Sequence, residues 1–209
     1  MADPSDKRYE PRWPVIMALF AVCGLYWAMP ESLTVGPGWL LLALVAPLLI
    51  ASAAMRRLSR HRAASGIGYV LSGLVTLGLI ASLAMLIAAL PSHAESPRDL
   101  LRSAAALWIS NILVFASWYW RLDGGGPHMR ERRETHSEGA FLFPQMTLGD
   151  GDWKPGFVDY LFLAFNTSTA FSPTDAPVLS RWAKGMMMVQ STISFTTVAL
   201  LAARAVNIL

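Results

Sequence analysis

The sequence predicts an all-α polytopic membrane protein with about five transmembrane helices and one re-entrant pore helix that leads into a filter-like loop. Three observations carry that expectation. The 209-residue chain is 54% hydrophobic and only 15% charged. Its apolar residues fall in blocks close to the ~20 residues that cross a hydrocarbon core. Its last quarter breaks an apolar run with a cluster of hydroxyls, a proline and an acid, Thr167 to Asp175. Six full spans are the alternative, if the segment from Phe157 to Ser172 crosses completely.

Composition also excludes several classes. The formal net charge is +3, from 17 basic and 14 acidic residues, and the basic residues sit in connecting loops, as juxtamembrane charges that set topology do. Nucleic-acid binding needs a basic face on a soluble fold, so no nucleic-acid partner is expected. Cys23 is the single cysteine, which rules out an intrachain disulfide and a cysteine-based metal site. It lies in an apolar run and reads as a small buried hydrophobe. There is no nucleophile elbow, no His-Glu-x-x-His and no Cys-x-x-Cys, so no enzyme, catalytic residue, cofactor or metal is expected.

Residues 1–12 are polar, of mixed charge, and read as a disordered cytoplasmic N-terminus. Residues 13–120 form a four-helix peripheral membrane region. The first span runs from Trp13 to about Met29, with Pro14 suited to the first turn; acids dilute a basic n-region, so it reads as a retained helix rather than a cleaved signal. Pro30 to Gly38 is a turn. The second span, Trp39 to Met55, contains Pro47, a kink site. Arg56, Arg57, Arg60 and Arg62 follow at once and mark a cytoplasmic loop. The third span, Gly66 to Leu90, carries Gly68, Gly73 and Gly78, which permit close helix contact, and stops at Pro91. Ser96-Pro97-Arg98-Asp99 starts the fourth helix, which reaches Trp120 and ends in Trp118-Tyr119-Trp120-Arg121, an aromatic cluster with a cation of the kind found at a membrane interface. Asn111, the one amide in mid-span, is expected to hydrogen-bond to a neighbouring helix.

Residues 121–156 read as a polar linker. Asp123-Gly124-Gly125-Gly126-Pro127 lacks the Gly-Lys-Ser/Thr of a phosphate-binding loop and reads as a flexible turn, followed by a solvated run from Arg130 to Glu134. His128 and His136 read as solvated loop histidines rather than metal ligands. Ala140 to Met146 is too short to span and is expected to lie along the interface or dock on the pore helix.

Residues 157–209 form the module that defines the candidate site: a short apolar helix from Phe157, the hydroxyl-rich stretch Thr167, Ser168, Thr169, Ala170, Phe171, Ser172, Pro173, Thr174 and Asp175, then a long apolar helix from Gly185. Lipid tolerates irregular polar backbone at membrane depth only where protein or water surrounds it, and an ion path needs such backbone. The plainer reading of these hydroxyls is that they bond back to helix carbonyls.

Thr167 to Asp175 aligns without gaps on the Thr-x-Thr-Thr-Val-Gly-Tyr-Gly-Asp filter of tetrameric potassium channels and is identical at Thr167, Thr169 and Asp175. The segment through Trp182 and Lys184 resembles the filter-to-inner-helix turn of the two-helix bacterial potassium channels. That resemblance implies a pore-helix acid at Asp159, an amide behind the filter at Asn166 and an inner-helix hinge at Ser194. Ser172, Pro173 and Thr174 replace Gly-Tyr-Gly, however. Proline holds φ at about −65° and serine or threonine is strained at positive φ, so the usual potassium-filter geometry does not carry over. The whole chain, through Tyr119 to Pro127, Phe143 to Met146 and Thr169 to Asp175, also resembles an uncharacterised family of bacterial membrane proteins, which implies a multi-pass protein of the inner membrane and names no activity.

The expected function is passive conduction of small monovalent cations. One subunit supplies one loop and one inner helix, so the expected partner is itself, as a homotetramer in the lipid bilayer. The alternatives are a carrier built on the broken segment, although the inverted repeats of a carrier are not seen, and a non-conducting membrane scaffold. No regular arginine ladder is present for voltage sensing. With five spans the basic loops place the pore loop's start on the cytoplasmic side and the C-terminus outside, the sense of glutamate-receptor-type pores. With six, both termini are inside.

Overall fold

The computed structural model describes residues 10–89, 96–133, 139–148, 153–169 and 176–206. The described residues are helical throughout, apart from turns and one isolated antiparallel bridge, Phe141 with Val178. Four helices are long and apolar enough to cross a membrane: α2 (Leu40–Arg57), α3 (His61–Ala89), α4 (Pro97–Leu122) and α8 (Arg181–Val206). α1 (Trp13–Trp27) is apolar but shorter, with 15 residues, or about 22 Å at 1.5 Å per residue. Short helices α5 (Pro127–Arg132) and α6 (Pro144–Thr147) precede α7 (Phe157–Thr169).

Local chemistry accounts for most boundaries. α1 opens on Pro14 and ends at Trp27, two residues short of the predicted Met29, because the chain turns there onto Pro30 and is held by Tyr26. That hydroxyl donates to the Val35 carbonyl at 3.2 Å and accepts the Val35 N–H at 2.7 Å. α3 starts at His61 rather than Gly66, after a tight turn in which Ser59 takes φ +57°. α4 starts where its motif predicts: the Ser96 hydroxyl accepts the Asp99 N–H at 3.2 Å and donates to the Asp99 carboxylate at 2.6 Å. It ends in a turn where Gly126, at φ +88°, has no room for a side chain, since a Cβ would lie 2.7 Å from the Arg121 carbonyl.

α4 is the central helix and packs against α1, α3, α7 and α8. Val114, Ala116, Tyr119 and Trp120 are fully buried along it. In lipid such packing rests on close contact and interhelical hydrogen bonds more than on hydrophobic burial. Polar side chains accordingly bridge α3 and α4: Trp118 donates to Thr76 at 2.8 Å and Arg121 to the buried Ser72 at 3.2 Å. Large apolar side chains point outward instead, among them Met17, Ile50, Val70, Leu77 and Phe195. Cys23 is buried in the core, as its apolar setting predicts.

The ends of the helices are ordered. Arg12 before α1 pairs with Glu131 at 3.1 Å, and His61 at the start of α3 stacks on His128 at 4.0 Å. The start of α1, the end of α2, the start of α3 and the end of α4 therefore share one end of the bundle. Arg12, Arg56, Arg57, Arg60, Arg62, Arg121, Arg130, Arg132 and Arg133 lie there, whereas Arg98 and Arg102 lie at the opposite end.

Residues 121–133 are not solvated throughout. Arg130 is only 2% exposed and Asp123 is fully buried. The Arg130 guanidinium donates to the carbonyls of Trp120 at 2.8 Å and Asp123 at 2.7 Å, and pairs with Glu10 at 2.9 Å. These partners come from the end of α4 and from the residues ahead of α1, so a run that reads as charged and local is clamped by distant chain. Trp120 also donates to Glu10. Burial outweighs the Arg130 charge and holds the Glu10 carboxyl above its ordinary value.

Candidate functional site

α7 and α8 build the site against α4. α7 begins at the arginine-rich end: Phe157 packs edge-on against Trp120, and the Tyr160 hydroxyl donates to Asp123 at 2.6 Å. The second carboxylate oxygen of Asp123 accepts the Ala140 N–H at 2.5 Å. α8 begins at that same end, where Trp182 packs edge-on against Phe141, itself 5.2 Å from Tyr119. Phe141 and Phe143 pack on Tyr160, so the 140–146 segment docks on α7, one of its two predicted placements. Residues 177–179 complete the seat: Leu142 donates to the Pro177 carbonyl and Leu179 to that of Ala140, at 2.9 and 2.8 Å.

α7 and α8 therefore start together and run in the same direction, antiparallel to α4. α7 has 13 residues and a length of about 20 Å, too little for a ~30 Å hydrocarbon layer. Its last turn lies opposite Asn111, about 16 Å along α4 from Leu122, near the middle of the bundle. The chain is back at the arginine-rich end by Val178. At ~3.3 Å per extended residue the intervening stretch has the reach to make that return.

A buried polar cluster fixes the tip of α7. Gln190 donates to the Ala164 carbonyl at 2.7 Å and to the Ser168 hydroxyl at 2.9 Å, while the Tyr119 hydroxyl donates to Gln190 Oε1 at 2.6 Å. Asn111 donates to the Gln190 carbonyl at 3.2 Å and to Ser168 Oγ at 3.4 Å. One turn further on, Ser194 donates to the Ser168 carbonyl at 2.5 Å and accepts Trp108 Nε1–H at 3.1 Å. Ser191 donates to the Thr167 carbonyl at 3.3 Å. A helix C-terminus leaves its last four carbonyls without intrahelical partners; here α8 supplies hydroxyl and amide donors to that end of α7. Asn111 Oδ1 is buried without a partner among the described residues.

The predicted site residues fall out as follows. Asp159 is in the first turn of α7 and accepts the Gly156 N–H at 2.7 Å, capping the helix as an acid there should. Thr167 and Ser168 are buried on the α4 and α8 side; Thr167 donates to the Leu163 carbonyl at 2.8 Å and Thr169 to that of Asn166 at 3.0 Å. Asn166 is partly buried on α7, and Lys184 is exposed in the first turn of α8 beside the packed Trp182. Ser194 lies within α8 and anchors the tip of α7 through the Ser168 carbonyl. Ala170, Phe171, Ser172, Pro173, Thr174 and Asp175 lie outside the described residues. Asn111 bonds across helices as its mid-span amide predicts. Its partner Gln190 is the residue sequence reasoning passed over, although it carries the same signal, an amide within an apolar helix. Among the described residues no group of three or more His, Cys, Asp or Glu is placed to hold a metal.

The fold and site define a helical bundle with four helices long and apolar enough to cross a membrane and a short helix, α7, whose tip is anchored near the middle of the bundle. Compared with known proteins, the chain matches no family model, no curated protein and no solved structure.

Proposed function

We propose that this chain is the pore-forming subunit of a cation channel of the bacterial inner membrane, in which α7 and the loop after it form a re-entrant hairpin and four copies surround one path. The observation that carries this reading is that α7 and α8 start at one end of the bundle while α7 stops near its middle. A full crossing by α7 would instead bring α8 in from the opposite end. A helix C-terminus at that depth places the negative end of its dipole where an ion would pass, which favours cations over anions. The likeness of Thr167–Asp175 to potassium-channel filters supports the same reading. The stripe Met188, Thr192, Phe195 and Ala199 on the exposed face of α8 is the surface four subunits would turn toward a shared axis.

The arginine-rich end, as the cytoplasmic face, sets the hairpin opening inward and the C-terminus outward. One observation favours a second reading, a non-conducting scaffold: Thr167 and Ser168 spend their hydroxyls inside the subunit. Flux into liposomes holding the purified protein decides between them. Conduction predicts potassium or sodium flux without chloride flux, altered by Thr169→Ala and lowered severalfold by Asp175→Asn, which removes an attracting charge at the mouth. Flux no greater than in empty liposomes, from folded protein, selects the scaffold.

A further inference from the structure

A small open cleft at the arginine-rich end gathers Arg12, Arg56, Arg121, His61, His128 and Tyr69. Two guanidinium groups there have no carboxylate partner among the described residues. Glu131 is paired with Arg12 at 3.1 Å and Glu10 with Arg130 at 2.9 Å; the Glu131 charge also reaches Arg56, whereas no carboxylate among the described residues acts on Arg121. Arg121 is the more telling of the two. It is only 7% exposed, and among the described residues the one hydrogen bond it donates runs from Nε to Ser72 at 3.2 Å. Its Nη atoms lie over Gly68, where a Cβ would come within 1.8 Å of Nη1, so the glycine makes room for this head group. A buried cation without a counter-charge is costly, and a glycine that admits it to a cleft already holding two arginines points to a missing anion.

We propose that this cleft binds a phosphate group, of an anionic lipid headgroup or of a free phosphate, with Arg121 and Arg56 as its principal ligands and Arg12 at the rim. Guanidinium forks match phosphate oxygens in pairs. The depth suits a headgroup: Tyr69 stacks on Trp118 at 6.4 Å on the outward surface beside the cleft, and such rings belong at the headgroup level. Burial, and then the neighbouring His61 imidazole, hold the His128 imidazole below its ordinary value.

The test uses the full chain in detergent micelles. Its thermal unfolding midpoint is measured with added phosphatidylglycerol, phosphatidylcholine, inorganic phosphate, or chloride at matched ionic strength. Lipid retained by the protein is counted by native mass spectrometry. Phosphatidylglycerol should raise the midpoint by several degrees and remain bound, with no effect of phosphatidylcholine or chloride. Arg121→Gln should require about tenfold more of it for the same shift. Stabilisation by inorganic phosphate as well assigns the site to phosphate from either source; stabilisation by phosphatidylglycerol alone assigns it to the lipid. Arg56→Gln, half-buried and easier to fold, should weaken the response in the same direction. A wild type indifferent to both anions, or variants that respond as the wild type does, would overturn the proposal.

Discussion

Replacing Asp123 by alanine is expected to cost about 3–5 kcal/mol of folding stability, from two buried hydrogen bonds to a charged group at ~1.5–3 kcal/mol each. The carboxylate is fully buried and accepts both the Tyr160 hydroxyl, at 2.6 Å, and the Ala140 N–H, at 2.5 Å. Alanine leaves two buried donors unpaired beside the Arg130 guanidinium, which lies 5.2 Å above the Tyr160 ring. The loss falls where three segments meet: the end of α4, the 140–146 strap and the start of α7. Asp123→Asn keeps the shape and one acceptor and should cost about half as much. Tyr160→Phe combined with Asp123→Ala should cost less than the separate losses together, because the two share a bond. Unfolding in mixed micelles as a function of denaturant reads these differences. A loss under about 1 kcal/mol for Asp123→Ala would show that the cluster is not under the constraint its burial implies.

Gln190→Leu is expected to have the second largest effect, about 2–4 kcal/mol. The substitution nearly preserves volume, so the cost comes from polar groups. The Tyr119 hydroxyl loses its acceptor and the Ser168 hydroxyl loses a donor. Each buried group left unpaired costs ~1–3 kcal/mol in a folded core, and interhelical bonds in lipid average nearer 0.6 kcal/mol. The effect should also be local. With the Ala164 contact gone and Asn111, Ser191 and Ser194 still holding the tip of α7, amides near that tip should exchange with deuterium faster, while those of α2 and α3 do not change. Ser194→Ala removes one anchor and should give a smaller change in the same amides. Uniform acceleration across all helices would mean that Gln190 supports the whole bundle rather than the hairpin.

The elements were legible where chemistry is local. The Ser96–Asp99 cap, the Pro14 start and the block lengths of α2 and α4 follow from neighbouring residues, and the structure keeps them. Boundaries slipped where polar residues continue a helix past its apolar block, as at His61 to Ser65, because hydropathy marks lipid contact and not helical backbone. The buried state of Arg130 was not legible. Its run reads as solvent-exposed, and its counter-charge, Glu10, is 120 residues away in the chain. The site was half legible. Asn111 announced an interhelical bond, yet its sequence gave no way to select Gln190 over any other polar group across the membrane. The hydroxyls of Thr167 and Thr169 follow the plainer reading, bonding back to carbonyls three and four residues earlier, which sequence alone cannot separate from lining a path.

The most direct measurement of the central claim joins topology to conduction. Because Cys23 is the single cysteine, a Cys23→Ser chain carrying Ser172→Cys offers one thiol in the proposed hairpin. In liposomes of known orientation, a membrane-impermeant thiol reagent applied on the side of the α1 N-terminus should label position 172 and reduce cation flux. Labelling only from the opposite side, or labelling that leaves flux unchanged, would contradict a re-entrant, conducting hairpin.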